Sequence, residues 1–456
     1  MADHVPLIVI GAGPAGLAAA DTALAHGLEV MLLDEQPCPG GQIYRNIGNG
    51  DDERRAVLGA DYAQGETLLP VMERPGLDYR RGATVWEVTP DRQVFFTEQG
   101  KARAVSADKL ILATGAMERP MPFPGWTLPG VMSCGAAQIM LKSSGLFPAE
   151  GAILAGSGPL LLLLATQMLA AGARIGAIVE TTPARNFLAA AQRLPRALLA
   201  REYLRKGMGM MAALRRSGVP WYKDAGGLQA LGTNRVEALR FKDGAKTREL
   251  PCGLLLLHQG VVPNAQIARS LRLDHDWDDM QRAWRPRADS WGETALPGIF
   301  VAGDGAGIVG AKASAIQGRL AALRAADAQP GEAAPLRRAL ARELAIRPFL
   351  DRLYRPADEF LQPADDTLVC RCEEVSAGEI RVAVRNGCLG PNQAKAFSRA
   401  GMGPCQGRLC GLTVSEVIAQ ARGVSPAQAG YYRIRPPIKP VTLGEMAALA
   451  DESDEN

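Results

Sequence analysis

The chain has 456 residues, 47% of them hydrophobic and 22% charged, with a formal net charge of +3. That length holds two or three domains, and the composition is that of a globular protein with a large core. The small charge argues against a nucleic-acid partner, and the longest apolar run, Leu160 to Leu164, is too short to span a bilayer.

Residues 5 to 45 read as strand, glycine turn, helix, strand. Leu7 to Ile10 is apolar and largely β-branched, Leu17 to His26 is alanine-rich and ends at Gly27, and Glu29 to Leu33 is apolar again. No basic segment precedes the first strand, so no signal peptide is expected. The turn is Gly11-Ala12-Gly13-Pro14-Ala15-Gly16. Its first glycine permits the bend, the second lets backbone approach a pyrophosphate, and the third lets helix pack on strand. Asp34 and Glu35 end the second strand, where a carboxylate accepts hydrogen bonds from a ribose. Spacing favours Asp34, with Glu35 the near alternative.

Short strands are expected near 83–88 and 93–96, and an apolar one at 110–113. From Gly151 the nucleotide-binding pattern repeats around Gly156-Ser157-Gly158-Pro159-Leu160-Leu161, with leucine where the third glycine belongs. Glu180 ends the next strand, so the second unit either binds an NAD-type ribose or is only structural. Further strands are expected near 218–222, 235–241 and 254–257. The first unit is re-entered around Gly298 to Val301. The stretch 185–216 is helical and locally basic, which suits a solvated face, a partner-docking surface or peripheral membrane contact. No redox-active cysteine pair adjoins either glycine turn: Cys38, Cys134, Cys252 and Cys388 stand alone. The histidines at 4, 26, 258 and 275 form no acid–base pair. His258, after an apolar strand, is a candidate to face a flavin.

The other four cysteines fall close together, as Cys370-Arg371-Cys372 and Cys405-Gln-Gly-Arg-Leu-Cys410. A disulfide across Cys-x-Cys would be strained, whereas four thiolates around a metal centre suit the spacing. Arg371 and Arg408 are placed to offset the negative charge. Iron–sulfur, zinc and unliganded thiols are the three readings, and metal-ligating cysteines point to a reducing cytoplasm.

Three more segments add to the first turn: Pro39-Gly40-Gly41-Gln42, Ala113-Thr114-Gly115 and Gly298 to Gly303-Asp304. In this order they make residues 5 to about 325 resemble the two-dinucleotide-domain flavoproteins, the group of glutathione reductase-like and thioredoxin reductase-like enzymes. The resemblance implies FAD, with Asp304 on its ribityl or pyrophosphate region, Thr114 and Gly115 lining the nucleotide, and backbone near Val85 by the adenine. An N-cap is the alternative role for Asp304. The cysteine segments resemble the bacterioferritin-associated ferredoxin-type [2Fe–2S] module, although its usual second pair is separated by two residues and this one by four. The whole order is similar to the FAD- and cluster-bearing subunits of heteromeric amino-acid and amine dehydrogenases, which include opine oxidase, hydrogen cyanide synthase and hydroxyproline dehydrogenase. That similarity implies an amine-oxidase-type flavoprotein partner that carries the substrate site, and an electron acceptor. It admits an FMN at the interface and a small third subunit.

The expected architecture is α/β: two Rossmann-like dinucleotide-binding domains, the first discontinuous, followed by a small α-helical [2Fe–2S] module. The expected bounds are 1–150 with 295–328 for FAD, 151–294 for the second nucleotide fold, 329–365 for a connector, 366–425 for the cluster module, and 426–456 for a surface or disordered tail. The expected location is the cytoplasm, including the inner membrane face. The rival functions are an NAD(P)H-dependent reductase of its own cluster and a zinc-stabilised flavin scaffold.

Overall fold

The central strands of the first sheet are apolar because their side chains are buried on both faces, as parallel strands covered by helices require. In the computed structural model, which describes residues 3–49, 52–147 and 151–454, Leu7, Ile8 and Val9 are fully buried. The sheet runs Leu77–Arg81, Val30–Asp34, Asp3–Ile10, Lys101–Leu112, Gln93–Glu98, Thr84–Val88. The first four are parallel and the last two antiparallel. Ile299–Val301 joins parallel to Leu110–Leu112, so the chain returns to this sheet after leaving it. Helices Pro14–Ala25 and Ala311–Ala325 cross closely, because a Cβ on Gly318 would stand 2.0 Å from the Ala15 carbonyl oxygen.

The second sheet is wholly parallel, in the order Trp221–Tyr222, Ile175–Glu180, Ala152–Ser157, Leu255–Gln259, Val131–Ser133. Its boundaries differ from those expected. Val131–Ser133 and the helix Cys134–Ser144 belong to it, so it begins well before residue 151. The crossing between domains is made by Ala116–Glu118 paired antiparallel with Val261–Pro263. Beyond that crossing, Ile267 and Leu271 already pack in the core of the first sheet. The glycine turn at 156 marked the repeat but not the three-residue strand before it, which carries too few residues for a periodic signal.

Helices Ala333–Glu343 and Arg347–Leu353 form the connector. The thiol module is a hairpin, Leu368–Cys370 with Val375–Ser376, and three helices, Ala377–Arg385, Pro391–Ser398 and Gly411–Arg422. Its core, including Cys370, Cys388 and Cys410, is continuous with that of the first sheet. The tail does not run free over the surface. Tyr432, Ile434 and Ile438 are buried in the same core, and Ile438 N–H donates to the Trp86 carbonyl at 2.8 Å. The end of its acidic run, Glu455, lies outside the described residues.

Candidate functional site

The first glycine turn is built as the sequence requires. Gly11 has φ +109°, and a Cβ there would stand 2.4 Å from the Ala113 carbonyl oxygen. A Cβ on Gly16 would stand 1.8 Å from the Gly11 oxygen. Gly13 is the N-cap of helix Pro14–Ala25, extended and without a side-chain cap, so no side chain of the cap takes the first-turn N–H groups, which carry the positive end of the helix dipole. The loop Pro39–Gln42 folds against this turn: Gly40 N–H donates to the Ala12 carbonyl at 2.8 Å, and a Cβ on Gly41 would meet Gly13 Cα at 2.8 Å. Gly115 has φ +65° and open space where a Cβ would be. Thr114 Oγ donates to the Asn264 carbonyl at 2.7 Å, which fixes this strand end beside the domain crossing. A glycine turn that leads into a helix N-terminus without a side-chain cap is a cradle that fits a dinucleotide pyrophosphate.

The carboxylates divide their work. Asp34 is buried, and its two oxygens accept from Ala12 N–H at 2.5 Å and Gln36 N–H at 2.7 Å. Burial pushes its pKa up. It shapes the turn itself, while the adjacent Glu35 is exposed and meets Lys439 Nζ at 2.5 Å. Ala83 N–H donates to the Asp34 carbonyl at 2.9 Å, which carries Val85 to the same end of the sheet. Asp304 Oδ1 accepts from Val309 and Gly310 N–H at 2.7 and 2.9 Å, just before helix Ala311–Ala325. The N-cap of that helix is Gly310, without a side-chain cap, so the Asp304 oxygen holds the loop that leads into the helix and is not its N-cap. Gly303 closes against Ala15, whose Cβ would be 2.8 Å from a Cβ placed there. Behind the cradle, the buried Lys142 Nζ donates to the Gln42 carbonyl at 3.1 Å and to Gln138 Oε1 at 2.9 Å. No sequence pattern singled it out.

The second turn is filled by its own side chains. The His258 ring lies 2.9 Å from where a Cβ on Gly158 would be, whereas a Cβ on Gly13, the matching glycine of the first turn, would meet only the Gly41 Cα at 3.7 Å. His258 Nδ1 is 2.6 Å from Glu118 Oε1, which ties the ring to the strand that crosses between the domains. Glu180 is buried, its Oε2 accepts from Trp221 Nε1 at 3.0 Å, and burial raises its pKa.

The four thiols come together as two pairs, Cys370 with Cys410 and Cys372 with Cys405. The first pair is buried, Cys405 is half-buried and Cys372 is exposed. The Cys410 side chain, helped by the N–H groups of Gly401, Glu373 and Cys372, brings the Cys370 thiol down to about 6 against the effect of its burial. Its partner bond and burial hold Cys410 up. Gly403 lets the second loop close on the first, since a Cβ there would stand 2.3 Å from Cys372 Cβ. Among the described residues no three His, Cys, Asp or Glu side chains converge to hold a single ion. Arg371 lies over the Trp126 ring and Arg408 donates to the Ile438 carbonyl. Lys395, over the Tyr432 ring, is an electrostatic neighbour of Cys410. Glycines 401, 407 and 411 ahead of two consecutive tyrosines were the available signal for this packing.

Residues 5–329 match the pyridine nucleotide-disulphide oxidoreductase family, and residues 364–450 match the sarcosine oxidase A3 domain. The chain belongs to the former family and is a flavoprotein oxidoreductase. It is 45% identical to the A subunit of opine oxidase from Agrobacterium tumefaciens over 98% of this chain and 92% of that one. It is 33% identical to the HcnB subunit of hydrogen cyanide synthase from Pseudomonas aeruginosa, covering 98% of this chain and 99% of that one. The alpha subunit of sarcosine oxidase from Rhizobium meliloti is 28% identical over 97% of this chain but only 42% of its own length. L-proline dehydrogenase from P. horikoshii shares the fold, with a TM-score of 0.70 at 20% identity over 98% of this chain and 80% of that one.

Proposed function

We propose that this chain is the electron-transfer component of a heteromeric dehydrogenase or oxidase acting on an amino acid, imino acid or opine, with the C–N bond oxidised on a partner flavoprotein. It holds FAD in the first cradle and a [2Fe–2S] cluster at Cys370, Cys372, Cys405 and Cys410. The observation that carries this is the gathering of four thiols as two pairs on a core shared with the flavin-type domain. Two thiolates per iron suit a two-iron cluster, whereas one tetrahedral zinc needs all four sulfurs on a single ion.

Within the cradle, the N–H groups at Ala15 and Gly16 receive the pyrophosphate, Glu35 takes the ribose, and Asp34 keeps the turn in shape. FAD supplies two-electron chemistry and the cluster single-electron exchange. The NAD(P)H-reductase alternative is disfavoured by the His258 ring over Gly158 and by Glu180 being tied to Trp221.

For the partner, the stretch 184–200 offers a surface. Ala190, Ala197 and Ala200 face inward, while Phe187, Leu188, Leu198 and Leu199 face out, Leu188 at 79% exposure. Large apolar side chains outside and small ones inside suit a face that another chain covers. Co-expression with candidate partner chains, followed by flavin, iron and sulfide analysis and a screen of amino and imino acids, tests the whole reading. A purified complex with no iron and no paramagnetic signal on reduction would refute it.

A further inference from the structure

Resting on the cluster reading above, we propose that the Tyr432 hydroxyl donates a hydrogen bond to the Cys410 sulfur when that sulfur is a metal-bound thiolate, so that Tyr432 is a positioning residue that raises the reduction potential of the site.

The side chain is 2% exposed. Its hydroxyl has no hydrogen-bond partner among the described residues, and a buried phenol left in that state is destabilising. The Cys410 side chain is its polar neighbour. The loops around it are shaped to admit the ring. A Cβ on Gly401 would stand 2.5 Å from Tyr432 Cζ, and one on Gly407 would stand 2.3 Å from Cδ2, with φ of +82° and +76° at the two glycines. Lys395 Nζ lies 4.8 Å from the ring centroid, and Tyr431 packs edge-on at 5.9 Å. The two tyrosines differ in where the hydroxyl goes: Tyr431 donates to the Gly407 carbonyl at 3.3 Å, whereas that of Tyr432 is left beside sulfur.

The buried pair of sulfurs therefore receives two donors, the Gly401 N–H on Cys370 at 3.5 Å and the phenol on Cys410. A donor to a ligand sulfur draws charge from it and favours the more negative, reduced state. Packing alone needs the ring; the hydroxyl is needed only for the sulfur.

The test is Tyr432→Phe in the full chain with FAD bound. Iron and acid-labile sulfide are assayed first, then the potential by titration followed with paramagnetic resonance. The expected result is full iron and sulfide, a lower potential and a shifted signal. Full loading at an unchanged potential overturns the inference. Absence of iron and sulfide from the unsubstituted chain overturns instead the cluster reading on which it rests. If the phenylalanine chain does not load, 3-fluorotyrosine at position 432 keeps the shape with a stronger donor. A raised potential then supports the inference, and an unmoved one overturns it.

Discussion

Lys142 offers a direct measurement on the first cradle. The residue is 3% exposed in the last turn of helix Cys134–Ser144, and its ammonium has no carboxylate partner among the described residues. Burial, with Arg45 nearby, pushes its pKa down to about 7. In the unfolded chain it returns to roughly 10.4. Below about pH 7 both states hold the proton and the folded state bears the full cost of a buried charge. Between about 7 and 10 the folded state sheds the proton while the unfolded state keeps it, so stability climbs with pH. At about 1.4 kcal/mol per unit, and with half the folded molecules protonated at pH 7, the gain from pH 7 to 9 is about 2 kcal/mol. Lys142→Met removes that gain. It also leaves the Gln42 carbonyl and Gln138 Oε1 unpaired, at about 1–3 kcal/mol each, so the stability at a single pH is a poor test and the slope is the informative quantity. Denaturant unfolding at pH 7, 8 and 9, with FAD in excess, should show the unsubstituted chain gaining about 2 kcal/mol more than the variant. Parallel pH dependences would refute the assignment of a buried, uncompensated ammonium.

Cys405→Ser removes iron and sulfide but leaves flavin absorbance, because Cys405 is half-buried in the outer pair and none of the residues of the nucleotide turn belongs to the thiol segments. Co-loss of FAD, measured in the same purified sample, would contradict this. Anaerobic NADH leaves the flavin spectrum unchanged, since the His258 ring stands over the glycine where a second pyrophosphate would approach; rapid bleaching would restore the reductase alternative. Leu188→Asp with Leu199→Asp abolishes co-purification with the partner chain and leaves the circular dichroism intact. Retained association shows that the partner sits elsewhere, and vesicle binding lost in the same variant would assign the face to lipid. Glu416→Ala leaves Arg282 with the exposed Asp279 at 3.4 Å in place of its buried carboxylate, removes the charge that faces the buried Arg119, and lowers stability by about 3 kcal/mol, read as a fall in melting temperature.

The flavin-type fold was legible because its signals are local. Gly11 and Gly16 are each demanded by a backbone contact within the cradle, and Leu7 to Ile10 announce a central strand by composition alone. The four cysteines were legible for a related reason: two tight spacings limit what the sulfurs can do.

The amino-acid order by itself thus determined the nucleotide turns, the departure at Leu161 and the thiol spacings. Tertiary structure decided what depends on residues far apart in the chain. It set His258 over Gly158, Lys142 beneath Gln42, and Tyr432 beside Cys410. It also moved the domain boundary to the paired strands Ala116–Glu118 and Val261–Pro263. Each of these joins segments that no periodicity or spacing links, and they meet only because burial of apolar faces brings the sheets together.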